Sequence, residues 1–90
     1  KPDPQPYAKG AELNHVNITN CFVVEDAPAG VLSGKRAGAR VLAVKTTHDA
    51  ERLWRQGADF VVDNLTKVKA RWSGNKIVLT IDSELRPSFE

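Results

Sequence analysis

The hydrophobic positions of this chain form short uninterrupted runs, separated by segments with helical spacing. The run Cys21–Val24 leads directly into the acids Glu25-Asp26, and a second run, Val41–Val44, follows a helical segment. Runs of four apolar residues without polar alternation are typical of strands buried in a parallel sheet. The pattern therefore predicts a βαβ crossover whose helix begins near Pro28 and ends at Gly38.

Glycine recurs at every fourth position of that helix, at Gly30, Gly34 and Gly38. Residues four apart share one face of a helix, so the bare stripe predicts close packing on the sheet. The same spacing occurs in membrane dimer motifs, but Lys35 and Arg36 interrupt the stripe and exclude a lipid-facing helix. The Gly-Lys-Ser/Thr order of a phosphate-binding loop is not present in the sequence.

The segments around this unit continue the alternation of helices and strands. A modest amphipathic helix is predicted from Gln5 to about Asn14, and the polar residues 15–20 predict a return loop. After the second strand, the pattern predicts a helix near Ala50–Gln56, a third strand at Ala58–Val62 and one helical turn over Asp63–Lys67. The predicted fold class is α/β, with a parallel sheet in residues 1–67.

The last part of the chain has a different pattern. Val68–Trp72 and Lys76–Asp82 alternate polar and apolar residues on either side of Ser73-Gly74-Asn75. This arrangement predicts an antiparallel β-hairpin with a three-residue loop, appended to the sheet as residues 68–82. Residues 83–90, which contain Pro87, are expected to fray.

Composition narrows the class of protein. Ninety residues make one small domain, and 41% hydrophobic with 27% charged residues is typical of soluble globular proteins without a membrane span. The net charge of +2 comes from scattered basic residues, which argues against nucleic-acid binding. The single Cys21 forms no internal disulfide and favours a reducing, cytoplasmic setting. Because the chain opens on Lys-Pro-Asp-Pro and has no methionine, we expect it to be part of a longer protein.

The two acids at the end of the first strand are the candidate chemistry. Functional sites of open parallel sheets lie at the carboxyl ends of the strands. Adjacent acids are also common as solvated loop residues, but two like charges at the end of a buried strand need neutralisation, and Mg²⁺ prefers carboxylate oxygens. Neighbouring side chains of an extended backbone point to opposite faces. We therefore expect Asp26 to meet the metal directly and Glu25 to act through another ligand or a water.

Two motifs occur in order, KPDP beginning at Lys1 and VVEDAPAG containing Glu25 and Asp26. Together they resemble the second half of a haloacid-dehalogenase-like phosphohydrolase, over residues 1 to about 65, and most closely the fungal group that hydrolyses 2-deoxyglucose 6-phosphate or glycerol 3-phosphate. The resemblance implies a Rossmann-like, three-layer parallel sheet and a small sugar or polyol phosphate as substrate. It also implies that Lys1 is the catalytic lysine that offsets phosphate charge, and that Asp26 and Glu25 form the Mg²⁺ site.

The sequence departs from the family pattern at the nucleophile. Reaction in that family begins with attack by the first aspartate of an Asp-x-Asp-x-Thr motif, and this sequence contains no Asp-x-Asp. We therefore expect the chain alone to be inactive, with the nucleophile outside it. Loss of the nucleophile's strand exposes the neighbouring sheet edge, so the expected partner is the missing N-terminal half of the protein or a second copy at that edge.

Two other functions stay open at this point, a non-catalytic α/β interaction or regulatory domain and a sugar-phosphate mutase of the same superfamily. The remaining conspicuous side chains have ordinary structural interpretations. His15 and His48 are isolated and are expected to be solvated loop residues. Trp54 and Trp72 lie outside any basic stripe, so burial is expected for both.

Overall fold

A computed structural model describes residues 3–13, 17–45 and 49–89 of the chain. Its main unit is a three-stranded parallel sheet with helices between the strands, so the predicted α/β class is confirmed. In chain order the elements are α1 (Gln5–Leu13), a 3₁₀ turn (Ile18–Asn20), β1 (Phe22–Glu25), α2 (Pro28–Ala37), β2 (Arg40–Val44), α3 (Ala50–Arg55), β3 (Phe60–Val62) and a second 3₁₀ turn (Leu65–Lys67).

The hydrophobic core lies between the sheet and its helices. Alternate residues of the strands, Val23, Val41 and Val61, face the helices, and all three are buried. The helices contribute the other large members of this cluster, Val31 of α2 and Leu53 and Trp54 of α3. The neighbouring strand positions face the opposite side of the sheet, as the two-residue period of a strand requires.

The glycine stripe packs α2 closely on the sheet, as predicted. A Cβ built on Gly34 would lie 2.8 Å from a methyl carbon of Val41 and 3.3 Å from one of Val23. At the end of the helix, Gly38 has a φ of 98°, in the left-handed region that favours glycine, and its amide closes the last turn. The helix therefore requires glycine at these two positions for different reasons.

The second face of the sheet is only partly covered. Leu42, Val44 and Val62 form a small buried cluster on this face. Toward the other end of the strands, the rings of Phe22 and Phe60 stack with their centroids 6.0 Å apart. In β1, Val24 is 52% exposed, so this strand is less buried than its sequence predicts. The physical reason is that, among the described residues, no helix packs on this side of β1.

The predicted hairpin is present, with a shorter turn. Strand β4 (Val68–Ser73) pairs antiparallel with β5 (Lys76–Ile81), and the pairing of Ser73 with Lys76 leaves a two-residue turn rather than the predicted three. Gly74 has a φ of 63°, which a two-residue hairpin turn requires of its first residue. The base of the hairpin covers the second sheet face, where Val68 and Ile81 pack against the small cluster.

The tip of the hairpin is exposed. Trp72 is 70% exposed, so the expectation that it is buried was wrong, whereas Trp54 is buried as predicted. Between the hairpin and the sheet lies a groove of about 940 Å³ whose lining includes Phe22, Phe60 and Trp72. Because its sheet residues come from the amino ends of the strands, this groove lies at the end of the sheet opposite the acidic pair.

The segment after the hairpin contacts the sheet and the core near both of its described ends, so residues 83, 84 and 89 differ from the expectation that residues 83–90 fray. Residues 85–88 between them are exposed, and residue 90 lies outside the described residues. The amide of Val61 donates to the Ser83 hydroxyl at 3.0 Å, and the Glu84 amide donates to the Val61 carbonyl at 2.8 Å. Further along, the guanidinium of Arg55 lies 4.4 Å from the centre of the Phe89 ring, which contacts the main core. The segment is held because it satisfies the outer edge of β3.

Candidate functional site

The carboxyl ends of the three parallel strands place several charged residues at one edge of the sheet. Asp26 directly follows β1, Lys45 follows β2 and Asp63 follows β3. Asp26 is exposed, as expected, and it forms no hydrogen bond or ion pair with another residue of the described ranges. Its carboxylate is therefore available to a ligand that approaches this edge.

Glu25 points to the other side of the strand, toward the helices. It is half-buried, and a carboxylate oxygen accepts a hydrogen bond from the hydroxyl of Tyr7 on α1. The glycine at position 30 makes room for this side chain, because a Cβ there would overlap the Glu25 carboxylate. The two acids thus face different surroundings, as the alternation of an extended backbone predicts.

The environment of Tyr7 changes its acidity. Burial, followed by the hydrogen bond to the Glu25 carboxylate and the charge of that group, raises the pKa of Tyr7 to about 12 from its usual 10.0. Each cause disfavours the phenolate, because a buried anion beside a carboxylate loses solvation and is repelled.

Tyr7 is the only tyrosine of the chain, so its ionisation can be followed directly. At about pH 11 we expect about a tenth of it to be phenolate, against about nine tenths for an ordinary tyrosine. Because the pKa is raised in the folded state, the stability linked to Tyr7 is complete below pH 10 and is lost as the pH rises toward 12. Absorbance at the phenolate band measures the titration. Glu25→Gln should shift it to lower pH, and a midpoint near pH 10 in the unmodified chain would contradict the contact.

Lys45 is bound by two carboxylates at the same edge. Its Nζ lies 2.6 Å from an oxygen of Glu84 and 3.2 Å from an oxygen of Asp63. The hydrogen bond to Glu84, and then that to Asp63, raises the pKa of Lys45, while the Lys45 ammonium lowers the pKa of Asp63. The positive charge of Lys45 is thus compensated by two carboxylates of the chain, whereas Asp26 has no such partner among the described residues.

Sequence reasoning identified the acids but missed the residues around them. Lys45 and Asp63 had a usable signal, since each directly follows a predicted parallel strand. The bond from Tyr7 to Glu25 had none, because it depends on how α1 lies against the sheet. The predicted catalytic residue Lys1 lies outside the described residues, as do His15 and His48.

A divalent cation fits this edge through one carboxylate. Within residues 3–13, 17–45 and 49–89, no three His, Cys, Asp or Glu side chains converge on a point suited to a metal ion. Mg²⁺ is commonly held by one or two carboxylates, with waters and phosphate oxygens completing its shell. The open carboxylate of Asp26 is a hard oxygen donor of that kind.

Also in the described ranges, no helix is both long and apolar enough to cross a membrane.

Comparison with known proteins identifies a group of relatives. The sequence profile of the haloacid dehalogenase-like hydrolases matches residues 1–44. The chain is 46% identical over 68 residues to hexitol phosphatase A of Escherichia coli, covering 76% of this chain and 31% of that protein. It is 37% identical over 76 residues to glycerol-1-phosphate phosphohydrolase 2 of Saccharomyces cerevisiae, covering 77% of this chain and 30% of that protein.

A solved structure supports the same grouping. The chain superposes on a hydrolase of this family from Deinococcus radiodurans, crystallised with bound phosphate and sodium, with a TM-score of 0.68 and 28% identity. The match covers 73% of this chain and 31% of that structure. The predicted resemblance and fold are thereby confirmed. The chain spans about a third of the length of the relatives that it matches.

Proposed function

Because the chain belongs to the haloacid dehalogenase-like hydrolases, we propose that it supplies the lysine and the acidic motif of a Mg²⁺-dependent phosphatase. Its relatives include a hexitol phosphatase and a glycerol-1-phosphate phosphohydrolase. These names support a small sugar or polyol phosphate as the substrate. The proposed location is cytoplasmic.

The observation that carries the proposal is the open carboxylate of Asp26 at the carboxyl edge of the parallel sheet. In this proposal Asp26 binds the cation, Glu25 supports it from the inner side, and Lys1 offsets the charge of the phosphate. A bound Mg²⁺ would supply Lewis-acid stabilisation of charge on phosphate oxygens. The contribution of the chain is then electrostatic, because its groups are set in place before the charge develops.

The nucleophile must come from elsewhere, since the sequence contains no Asp-x-Asp. We propose that an aspartate outside these residues attacks the phosphorus, displaces the sugar or polyol alcohol and forms an aspartyl-phosphate, which water then hydrolyses. The strand that bears it would pair with β1, which is an edge strand of the described sheet. The partner is accordingly the remainder of the protein, with a second copy at the same edge as the alternative.

A non-catalytic interaction role is the second candidate, and one observation favours it. The edge of β1 and the groove beneath the hairpin are both open to a partner, and neither touches the exposed carboxylate of Asp26. An interaction domain would use these surfaces and leave Asp26 without a function.

A chimera tests the proposed activity. We suggest replacing the matching segment of E. coli hexitol phosphatase A with residues 1–90 and measuring release of phosphate from a hexitol phosphate. The chimera is expected to show Mg²⁺-dependent turnover, while the 90-residue chain alone shows none.

The variant Lys1→Met should reduce turnover of the chimera by about 10²–10³-fold, because a cation that stabilises transition-state charge is lost. Lys9→Met is the matched control, since Lys9 is an exposed lysine of α1 paired with Glu12, and it should leave turnover unchanged. A folded chimera without activity would favour the interaction role. If the 90-residue chain alone showed turnover and Asp26→Asn abolished it, no nucleophile from outside the chain would be needed.

A further inference from the structure

The carboxylate of Glu25 is held by two elements other than its own strand. From one side, the hydroxyl of Tyr7 in α1 donates a hydrogen bond to this carboxylate. On the other side, the backbone of Gly30 in the first turn of α2 leaves the space that the carboxylate fills. The Glu25 carboxylate thus has a hydrogen-bond donor beside it and fills space that the missing side chain of Gly30 leaves. A flexible acid at the surface has neither.

We propose that Tyr7 positions the acidic pair by holding Glu25 inward, so that the next residue, Asp26, presents its carboxylate outward. Tyr7 is thus a positioning residue that acts through Glu25 and contacts neither cation nor substrate. This inference rests on the proposed function, in which Asp26 binds a divalent cation.

The geometry of the strand connects the two acids. Glu25 lies on the helix-covered side of β1 with Val23, and in an extended backbone the residue that follows faces away. Fixing the Glu25 side chain therefore restricts the rotation of the backbone that carries Asp26. Without the Tyr7 hydroxyl, the half-buried Glu25 carboxylate would lose a hydrogen bond and would turn toward water, which releases the strand end that carries Asp26.

The same bond joins the two segments that carry the motifs. In the sequence α1 follows the Lys-Pro-Asp-Pro motif, and β1 leads into the acidic motif. The ring of Tyr7 packs against the main core, so its hydroxyl is directed by buried contacts. The Tyr7–Glu25 bond is consequently a fixed link between helix and strand.

A competing assignment makes Glu25 a direct ligand of the cation. The two assignments differ in their response to glutamine at this position. The amide carbonyl of glutamine still accepts the hydrogen bond from Tyr7, but the neutral side chain is a poor ligand for a hard cation. Glu25→Gln should therefore preserve a positioning role and abolish a ligand role.

The test is a titration of the complete 90-residue chain with Mn²⁺, followed by paramagnetic broadening of its amide NMR signals. Tyr7→Phe and Glu25→Ala are each expected to weaken Mn²⁺ binding about tenfold, the effect typical of groups that orient a metal ligand. Glu25→Gln should weaken it by less than about threefold, because the neutral hydrogen bond remains. Ser83→Ala, which removes a half-buried hydroxyl bonded to Val61, is the control and should leave binding unchanged.

Each outcome separates the positioning role from the metal site. Equal binding by the unmodified chain and Tyr7→Phe, or a Glu25→Gln loss as large as that of Glu25→Ala, would overturn the inference. An unmodified chain that bound no Mn²⁺ would contradict the proposed metal site. The spectra without metal would then decide whether Tyr7 positions Asp26. In those spectra the amide signals of Asp26 and Ala27 should shift in Tyr7→Phe but not in Ser83→Ala, and unchanged signals would refute the positioning role.

Discussion

Replacing Asp26 with asparagine is expected to weaken the binding of Mg²⁺ to the chain by about 10–100-fold or more. The side chain keeps its size, but the open carboxylate that directly follows β1 becomes a neutral amide. Loss of a group that merely orients a ligand costs about 10–100-fold in metal affinity, and loss of the ligand should cost at least as much. Isothermal titration calorimetry with Mg²⁺ measures the change, and a chelator should reverse the heat of binding.

The matched control for this experiment is Asp63→Asn. Asp63 also directly follows a parallel strand and is also exposed, but it is already paired with Lys45 at 3.2 Å. Its replacement should leave Mg²⁺ affinity within about threefold, because its charge is already largely compensated. Equal losses in the two variants would show that affinity follows net charge rather than a site at Asp26.

The second large effect is expected from adding one methyl group to α2. In Gly34→Ala, overpacking should lower the free energy of unfolding by about 1–3 kcal/mol. The higher helix propensity of alanine offsets about 1 kcal/mol of this loss. The cause is the 2.8 Å approach of the new Cβ to the Val41 side chain, which is fully buried in the core. Gly34→Val should cost about 3 kcal/mol or more, because two further carbons enter the same contact.

Gly10→Ala is the matched control for the helix. Gly10 lies in α1, and a Cβ built there has no atom within 4 Å. The same substitution should therefore raise stability by about 0.5–1 kcal/mol through helix propensity alone. Urea unfolding followed by tryptophan fluorescence measures both values. Two changes of the same sign would show that α2 does not pack on the sheet through Gly34.

Local signals in the sequence predicted most of the fold. The apolar runs marked three strands, and Pro28 and Gly38 marked the ends of α2 correctly because proline and glycine act through their own backbone angles. Strand alternation predicted that Asp26 would be exposed and that its neighbour would face the other way. These features depend on residues close together in the chain.

The features that the sequence did not predict depend on contacts between distant segments. Ser83 reaches β3 across 22 positions, and Tyr7 reaches Glu25 across 18. Neither contact follows from spacing or propensity, because each requires a docked arrangement of two elements. The exposure of Trp72 has a similar origin, since an alternating hairpin pattern does not reveal which of its residues the sheet covers.

The two borders of the parallel sheet are not equivalent. Ser83 and Glu84 occupy the outer border of β3, whereas no described strand lies beyond β1. If two molecules joined border to border through this sheet, each would use its one vacant side, and growth would end at a pair instead of continuing into a filament.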